Sequence, residues 1–282
     1  MNIKDFMRKR KAEKISSVND CDLKVEAVTS AEADSKEEKL KEEKLKEEVQ
    51  NLIVLDKSGS MTTIRREAIT GVNECLMSIR RMQERTPEQR QYVTLIVFCG
   101  CGCTKLFDAV PVEETRPLTD DDYDPCCCTP LYDAIGTGVM SIDKLVKDKP
   151  MASVSATIIT DGYENASREF NHNAITTLIK ERKEKGWLFA YIGADHDVES
   201  VAISLSIDNH LKFDKTESGT KAMFSARMKA QERWSESMHE ARFAVKKACA
   251  GGGCPTPEMM EDMQKEIRRK NLHYFNSNDD EE

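Results

Sequence analysis

The sequence predicts an α/β fold in which a doubly wound, mostly parallel central sheet is flanked by helices. Short apolar runs rich in strand formers alternate with longer segments of helical periodicity, as in repeated β-α units. The strand-like runs are apolar throughout, which is typical of strands buried on both faces of a parallel sheet. We therefore predict one domain of this class over residues 49–215.

The predicted elements follow one another regularly along the chain. The opening strand is the run Leu52–Leu55, inside the stretch NLIVLDKSGSM at 51–61. A helix over 63–85 places its apolar residues on one face and stops before Pro87. The further strands are predicted at 92–98, 104–107 (a short edge strand), 153–160, 187–192 and 210–213, and the further helices at 131–146, 171–185 and 197–205.

Both ends of the chain are predicted to be appendages. Residues 1–48 are strongly charged and repeat K-E-E-K-L without a sustained heptad, which indicates a partly helical or disordered segment and no coiled coil. Residues 216–250 are predicted to be a methionine-rich helical extension that packs partly on the domain. Residues 251–282 are predicted to be a flexible glycine linker, a short helix and an acidic tail.

Composition narrows the classes of function. A formal charge of −8 argues against a nucleic-acid partner, which normally requires a basic face. No apolar run approaches the roughly 20 residues of a spanning helix, so we expect no membrane partner. In a secretory signal a basic stretch is followed by an apolar segment. The basic N-terminal stretch here is not followed by one, so we do not interpret it as a secretory signal. We expect a cytoplasmic protein.

The ten cysteines include two dense clusters, Cys99, Cys101 and Cys103 in one and Cys126–Cys128 in the other. Disulfide frameworks belong mainly to small secreted domains, and zinc sites usually present C-x₂₋₄-C pairs. We therefore favour reduced thiols that act as small loop residues. If neighbouring loops bring the clusters together, the alternative is a soft-metal or redox site.

Five oxygen-bearing side chains follow predicted strands or open a helix. Asp56, Ser58 and Ser60 follow the first strand, Thr129 opens a helix, and Asp161 follows the strand at 153–160. Each has an ordinary alternative as a turn residue or helix N-cap. Together they are expected at the carboxyl edge of the sheet, where ligands bind in open α/β sheets. Their hard oxygen atoms suit Mg²⁺, with Mn²⁺ as a second choice.

This pattern resembles the metal-ion-dependent adhesion site (MIDAS) of the von Willebrand factor A (vWA) domain family. The family motif D-x-S-x-S matches DKSGS at 56–60, the distant Thr matches Thr129 in TPLYDAIG, and the distant Asp matches Asp161 in IITDGYEN. The resemblance covers residues 49–213. It implies a Rossmann-like vWA fold with an intact MIDAS, in a bacterial-type intracellular member of the family.

The resemblance also implies a role for each ligand. Ser58 and Ser60 would coordinate the ion directly, Thr129 would do so in the ligand-bound form, and Asp56 and Asp161 would act largely through water. One departure concerns the loop before Thr129, which commonly holds glycine in the family and holds Cys126–Cys128 here. Cysteine disfavours the positive φ angles that glycine permits, which puts the switching of Thr129 in doubt.

The predicted function is a Mg²⁺-dependent protein–protein interaction module whose ion binds an Asp or Glu of the partner. Relatives inside bacterial cells suggest an AAA+ ATPase or a stress-response protein as that partner. We expect no enzyme, because no histidine or activated nucleophile lies in the three loops. The alternative is a Mg²⁺-dependent phosphoryl-transfer enzyme that uses Asp56 as its nucleophile. Ser58 argues against it, because acid/base catalysis would need a second carboxylate at that position. A structural relic with an empty site is a third reading.

Overall fold

A computed structural model describes residues 46–194, 197–249 and 255–275. These residues all fall in one compact unit, 46–282. The predicted appendage lies outside the described residues except for 46–48, and so do the predicted glycine linker and the acidic tail.

The core of the unit is a six-stranded sheet in the order β3-β2-β1-β4-β5-β6. Neighbouring strands are parallel except β2 and β3, which form an antiparallel hairpin at one edge. The predicted mostly parallel, doubly wound sheet is therefore confirmed. The strands are β1 (Glu47–Asp56), β2 (Gln89–Cys99), β3 (Gly102–Pro111), β4 (Ala152–Thr160), β5 (Leu188–Gly193) and β6 (Asn209–Lys212).

Helices flank the sheet on both faces. They are α1 (Arg65–Arg85), α2 (Leu131–Val146), α3 (His172–Glu184), α4 (Val198–Ser204), α5 (Glu217–Cys249) and α6 (Pro257–Asn271), with short 3₁₀ turns at Gly59–Ile64 and Val112–Glu114.

Strand β1 shows why the opening run is apolar throughout. Ile53 and Leu55 pack in a cluster with α1 and with Phe224 of α5, on one face of the sheet. Leu52 and Val54 pack on the opposite face in a cluster with α2, α3 and α4. Successive side chains of a strand point to opposite faces, so a strand covered on both sides has no solvent-facing position left for a polar residue.

The start of β1 is charged and nevertheless buried. Glu47 is 1% exposed, and its carboxylate lies 2.9 Å from the Lys246 amine and 2.8 Å from the His239 ring. Glu48 pairs with Lys149 at 2.7 Å. Strand β1 therefore begins two residues before the predicted domain boundary, because partners distant in sequence make burial of these carboxylates tolerable.

Helix α5 is an integral part of the core. Gln231 donates to Asn51 Oδ1 of β1 at 2.9 Å and accepts from Ser155 Oγ of β4 at 2.8 Å. Trp234 donates to Asn271 of α6 at 2.8 Å. These buried polar contacts fix α5 across the amino-terminal halves of the strands, because each unpaired group would otherwise carry a desolvation cost.

No helix in the described ranges is long and apolar enough to cross a membrane.

Gly71 is the point of closest approach between α1 and α5, and Gly71→Ala tests that packing. At an exposed helical site, replacing glycine with alanine stabilises the helix by about 1 kcal/mol. Here the added Cβ would lie 2.1 Å from a Phe224 ring carbon. We expect a loss of about 1–3 kcal/mol in the free energy of unfolding, measured by urea denaturation. The loss should shrink in a Phe224→Ala background, and equal losses in both backgrounds would contradict the contact.

Candidate metal centre

The candidate site lies where two neighbouring parallel strands end. Asp56 is the last residue of β1, and Asp161 directly follows Thr160, the last residue of β4. Strand β1 pairs with β2 on one side and with β4 on the other, so the order of the strands reverses here. Such a switch point opens a crevice at the carboxyl edge of the sheet.

Asp56 is held from several sides. Its carboxylate accepts the Ser58 backbone N–H at 2.6 Å and the Thr160 hydroxyl at 2.6 Å. Its backbone oxygen accepts the Tyr123 hydroxyl at 2.5 Å. The ordinary turn reading is thus partly correct for Asp56, since the bond to Ser58 closes a local turn. The bonds from Thr160 and Tyr123 go beyond a turn and fix the carboxylate in the crevice.

Ser60 joins the first loop to the third. Its hydroxyl lies 3.1 Å from the Ser58 hydroxyl and donates to Asp161 Oδ1 at 2.5 Å. The other oxygen of Asp161 lies 2.6 Å from the Lys215 amine. The structure therefore brings together the D-x-S-x-S loop and the distant aspartate.

Thr129 lies at the same place without capping a helix. Helix α2 begins at Leu131 and its N-cap is Pro130, so the reading of Thr129 as an N-cap is wrong. Thr129 is 3% exposed, and its backbone N–H donates to Asn165 Oδ1 at 2.8 Å. A Cβ built on Gly162 would lie 3.6 Å from the Thr129 hydroxyl and 3.9 Å from the Ser60 hydroxyl. The two hydroxyls thus border the same small space.

The electrostatics of the crevice favour a cation. Burial raises the pKa of the Asp56 carboxyl to about 6, hydrogen bonds from Thr160 and Ser58 oppose the rise, and the charge of Asp161 adds to it. Two buried carboxylates repel each other, and positive charge between or beside them offsets that repulsion. Lys215 supplies one positive charge in the structure. The carboxylate and hydroxyl oxygens around the crevice fit a hard divalent cation.

Three contributors to the site escaped the sequence prediction. Thr160 and Tyr123 position Asp56, and Lys215 pairs with Asp161. Thr160 carried a weak signal, as a polar residue that ends an apolar run next to Asp161. Lys215 follows β6 at the same carboxyl edge, but no sequence motif distinguishes a lysine in a polar loop as a site residue.

The cysteine loop before Thr129 is hydrogen-bonded to the D-x-S-x-S loop. The Cys126 N–H donates to Lys57 O at 2.9 Å, and the Gly59 N–H donates to Cys127 O at 3.1 Å. Cys127 has a φ of 61°, in the region that glycine favours. Cysteine adopts the glycine-like conformation here, at a cost of about 1–2 kcal/mol. Whether Thr129 switches stays a prediction.

Comparison with known proteins supports the fold. The chain matches no protein-family model and no curated protein. The pilus adhesin SpaC from Lactobacillus rhamnosus GG matches with a TM-score of 0.50 and 16% identity, over 65% of this chain and 30% of SpaC. At that identity the likeness is one of fold alone. The fold is vWA-like.

Structures named for the vWA domain also match. A von Willebrand factor type A protein from Catenulispora acidiphila has a TM-score of 0.42 and 11% identity, over 68% of this chain and 42% of that one. The SpRpn10 VWA domain has a TM-score of 0.43 and 11% identity, over 64% of this chain and 94% of the domain. The chain spans less than half the length of the SpaC and C. acidiphila proteins.

The raised pKa of Asp56 predicts that Asp56→Asn stabilises the metal-free protein. The folded carboxyl titrates near 6 against an ordinary 3.8, so above pH 6 its ionisation costs stability. In EDTA at pH 8 we expect a gain of about 1–3 kcal/mol in the free energy of unfolding. The Thr160 hydroxyl lies 3.2 Å from Gly162 O and can donate there while it accepts from the new amide.

The gain should decline as the pH falls from 6 towards 4, because the wild-type carboxyl becomes protonated in the folded protein first. Urea denaturation at several pH values measures it, with the exposed Asp120→Asn as control. A variant less stable than wild type at pH 8 would show that the hydrogen bonds of the carboxylate outweigh its burial.

Proposed function

We propose that the protein is a Mg²⁺-dependent protein–protein interaction module with an intact MIDAS, with Mn²⁺ as the alternative ion. The observation that carries this proposal is the hydrogen-bonded chain from Ser58 through Ser60 to Asp161, beside the buried Asp56. Ser58 and Ser60 would hold the ion directly, Thr129 would join when a ligand binds, and the two aspartates would act largely through water.

An interaction role fits the surface of the site. Ser60 is exposed while Asp56 and Asp161 lie beneath the surface, so an ion held here would keep a coordination position towards solvent. An Asp or Glu carboxylate of a partner is the ligand that such a position favours. Tyr163, next to Gly162, is 55% exposed and offers an aromatic contact beside that position. An AAA+ ATPase or a stress-response protein in the bacterial cytoplasm is the partner we propose from the resemblance.

The geometry of Asp56 disfavours the phosphoryl-transfer alternative. A nucleophilic carboxylate needs an oxygen open to the substrate. Asp56 is 0% exposed, and each of its two oxygens accepts a hydrogen bond from the protein. We therefore propose a non-catalytic role.

Ser60→Ala should abolish capture of the partner in Mg²⁺. The lost hydroxyl removes a direct ligand. Because the residue is exposed, we expect the variant to fold, with a loss of stability from the missing hydrogen bond to Asp161. The measurement is affinity capture from host lysate in Mg²⁺ and in EDTA, together with Mn²⁺ binding followed by electron paramagnetic resonance. Wild type and the exposed Thr63→Ala control should bind Mn²⁺ and hold the partner in Mg²⁺ only.

Asp56→Ala should behave like Ser60→Ala in both measurements. A partner retained by wild type in EDTA, or by both variants in Mg²⁺, would move the binding surface away from the MIDAS. Equal Mn²⁺ binding by wild type and both variants would show that Ser60 and Asp56 do not hold the ion, which would contradict the proposed metal site.

Lys215→Met should tighten Mg²⁺ binding by about tenfold, or about 1.4 kcal/mol. The Lys215 amine lies 2.6 Å from Asp161 Oδ2, where it competes with a divalent ion and repels it. Isothermal titration with Mg²⁺ measures the change. Lys212→Met removes an exposed charge from β6 and should leave the affinity within twofold of wild type. Weaker binding in Lys215→Met would show that Lys215 supports the ion-binding conformation of Asp161.

A further inference from the structure

The fold brings the two cysteine clusters together. Cys99 ends β2, Cys101 lies in the β2–β3 turn, and Cys126 and Cys127 lie in the loop before Thr129. The sulfur atoms are 3.3 Å apart for Cys99 and Cys126, 3.7 Å for Cys101 and Cys126, and 3.1 Å for Cys101 and Cys127. The sulfur atoms of Cys99, Cys101 and Cys126 all lie within 4.8 Å of one another. Three thiols from two segments therefore surround one small space, and the Cys127 sulfur lies at its edge beside Cys101.

Backbone contacts hold this arrangement in place. The Gly100 N–H donates to Cys128 O at 2.8 Å, and the Cys126 N–H donates to Lys57 O at 2.9 Å. A Cβ at Gly100 would lie 2.4 Å from the Cys128 sulfur and 3.2 Å from the Cys128 backbone nitrogen, so the glycine suits this close approach of the two segments. Cys127 reaches Cys101 from a strained backbone with φ of 61°. Strain of this kind persists where the surroundings enforce it, and it clusters at ligand sites.

The distances suit a shared metal ion. In a tetrahedral zinc site with Zn–S bonds of about 2.3 Å, neighbouring sulfurs lie about 3.8 Å apart. The three sulfur–sulfur separations are shorter than that edge and much longer than a disulfide bond of about 2.05 Å. A small widening of the cluster would let Cys99, Cys101 and Cys126 bind one ion, and Cys127 would become the fourth ligand by turning its sulfur from Cys101 towards that ion.

We propose that Cys99, Cys101, Cys126 and Cys127 form a thiolate site for a soft metal ion, Zn²⁺ or Cu⁺. Thiolates select such ions and not Mg²⁺, so this site would be chemically distinct from the oxygen-lined MIDAS next to it. Each thiol that binds releases one proton. Cys101 and Cys127 are exposed, which gives the ion a path from solvent.

An ion in this site would tie the β2–β3 turn to the loop that ends at Thr129. The loop already contacts the D-x-S-x-S segment through Lys57 and Gly59. A soft metal would therefore fix one wall of the MIDAS crevice and hold Cys127 in its strained conformation.

The chain provides a matched control for each segment. Cys103 and Cys128 are exposed like Cys101 and Cys127 and lie on the same two segments. They line a neighbouring cavity together with Cys99, Asp133 and Glu169, and neither sulfur is among the four proposed ligands. Replacing Cys103 and Cys128 thus removes the same number of surface thiols without touching the four-sulfur cluster.

The test compares the full-length reduced protein with the two double variants under anaerobic conditions. Zn²⁺ and Cu⁺ are titrated against a competing chelator, and Co²⁺ is added as an optical probe of thiolate ligation. We expect Cys101→Ser/Cys127→Ser to bind about one equivalent less than wild type and to lose the thiolate–Co²⁺ charge-transfer band. Cys103→Ser/Cys128→Ser should retain both. The affinity order of Zn²⁺ and Cu⁺ identifies the ion.

Two results would overturn the proposal. One is equal metal content in the two double variants, which would place any soft metal elsewhere in the chain. The other is failure of wild type to bind any of the ions, with mass spectrometry after air exposure showing a disulfide within the cluster, which would make these thiols a redox pair. Adding Mg²⁺ should displace no soft metal, because the two sites differ in ligand type.

Discussion

The burial of two carboxylates at the ends of adjacent parallel strands is the constraint on which the functional edge depends. Asp56 and Asp161 follow strands covered by helices on both faces, so both are taken out of water. Charge buried in this way requires hydrogen bonds and a cation. Thr160, Ser58 and Ser60 supply the hydrogen bonds, and Lys215 supplies a positive charge that a divalent ion could replace or share.

The two ends of the sheet serve different purposes. At the amino-terminal end, α5 closes the strands with paired charges and buried amides, such as Glu47 with Lys246 and Gln231 with Asn51. Those groups satisfy one another. At the carboxyl end, the oxygens of three loops converge without enough positive charge to match them. The stabilising contacts of α5 and the proposed binding site thus lie at opposite ends of the same strands.

The cysteine loop links two kinds of ligand chemistry. Its backbone contacts the D-x-S-x-S loop, its sulfurs face the β2–β3 turn, and it leads directly into Thr129. Cys127 adopts a positive φ angle, which glycine favours. This loop lies between the oxygen-lined crevice and the cluster of thiols. Its conformation therefore affects the geometry of both proposed sites.

The sequence by itself determined the architecture and the order of the site residues. Burial on both faces requires a continuous apolar run in β1, and polar residues that follow such runs lie at the carboxyl edge of a parallel sheet. The proximity of Asp56, Ser58, Ser60 and Asp161 was therefore predictable from their positions. Only the tertiary structure decided that Lys215 pairs with Asp161, that Glu47 is a buried strand residue, and that two cysteine clusters meet. These features depend on distances between segments far apart in the chain. Local periodicity carries no information about such distances.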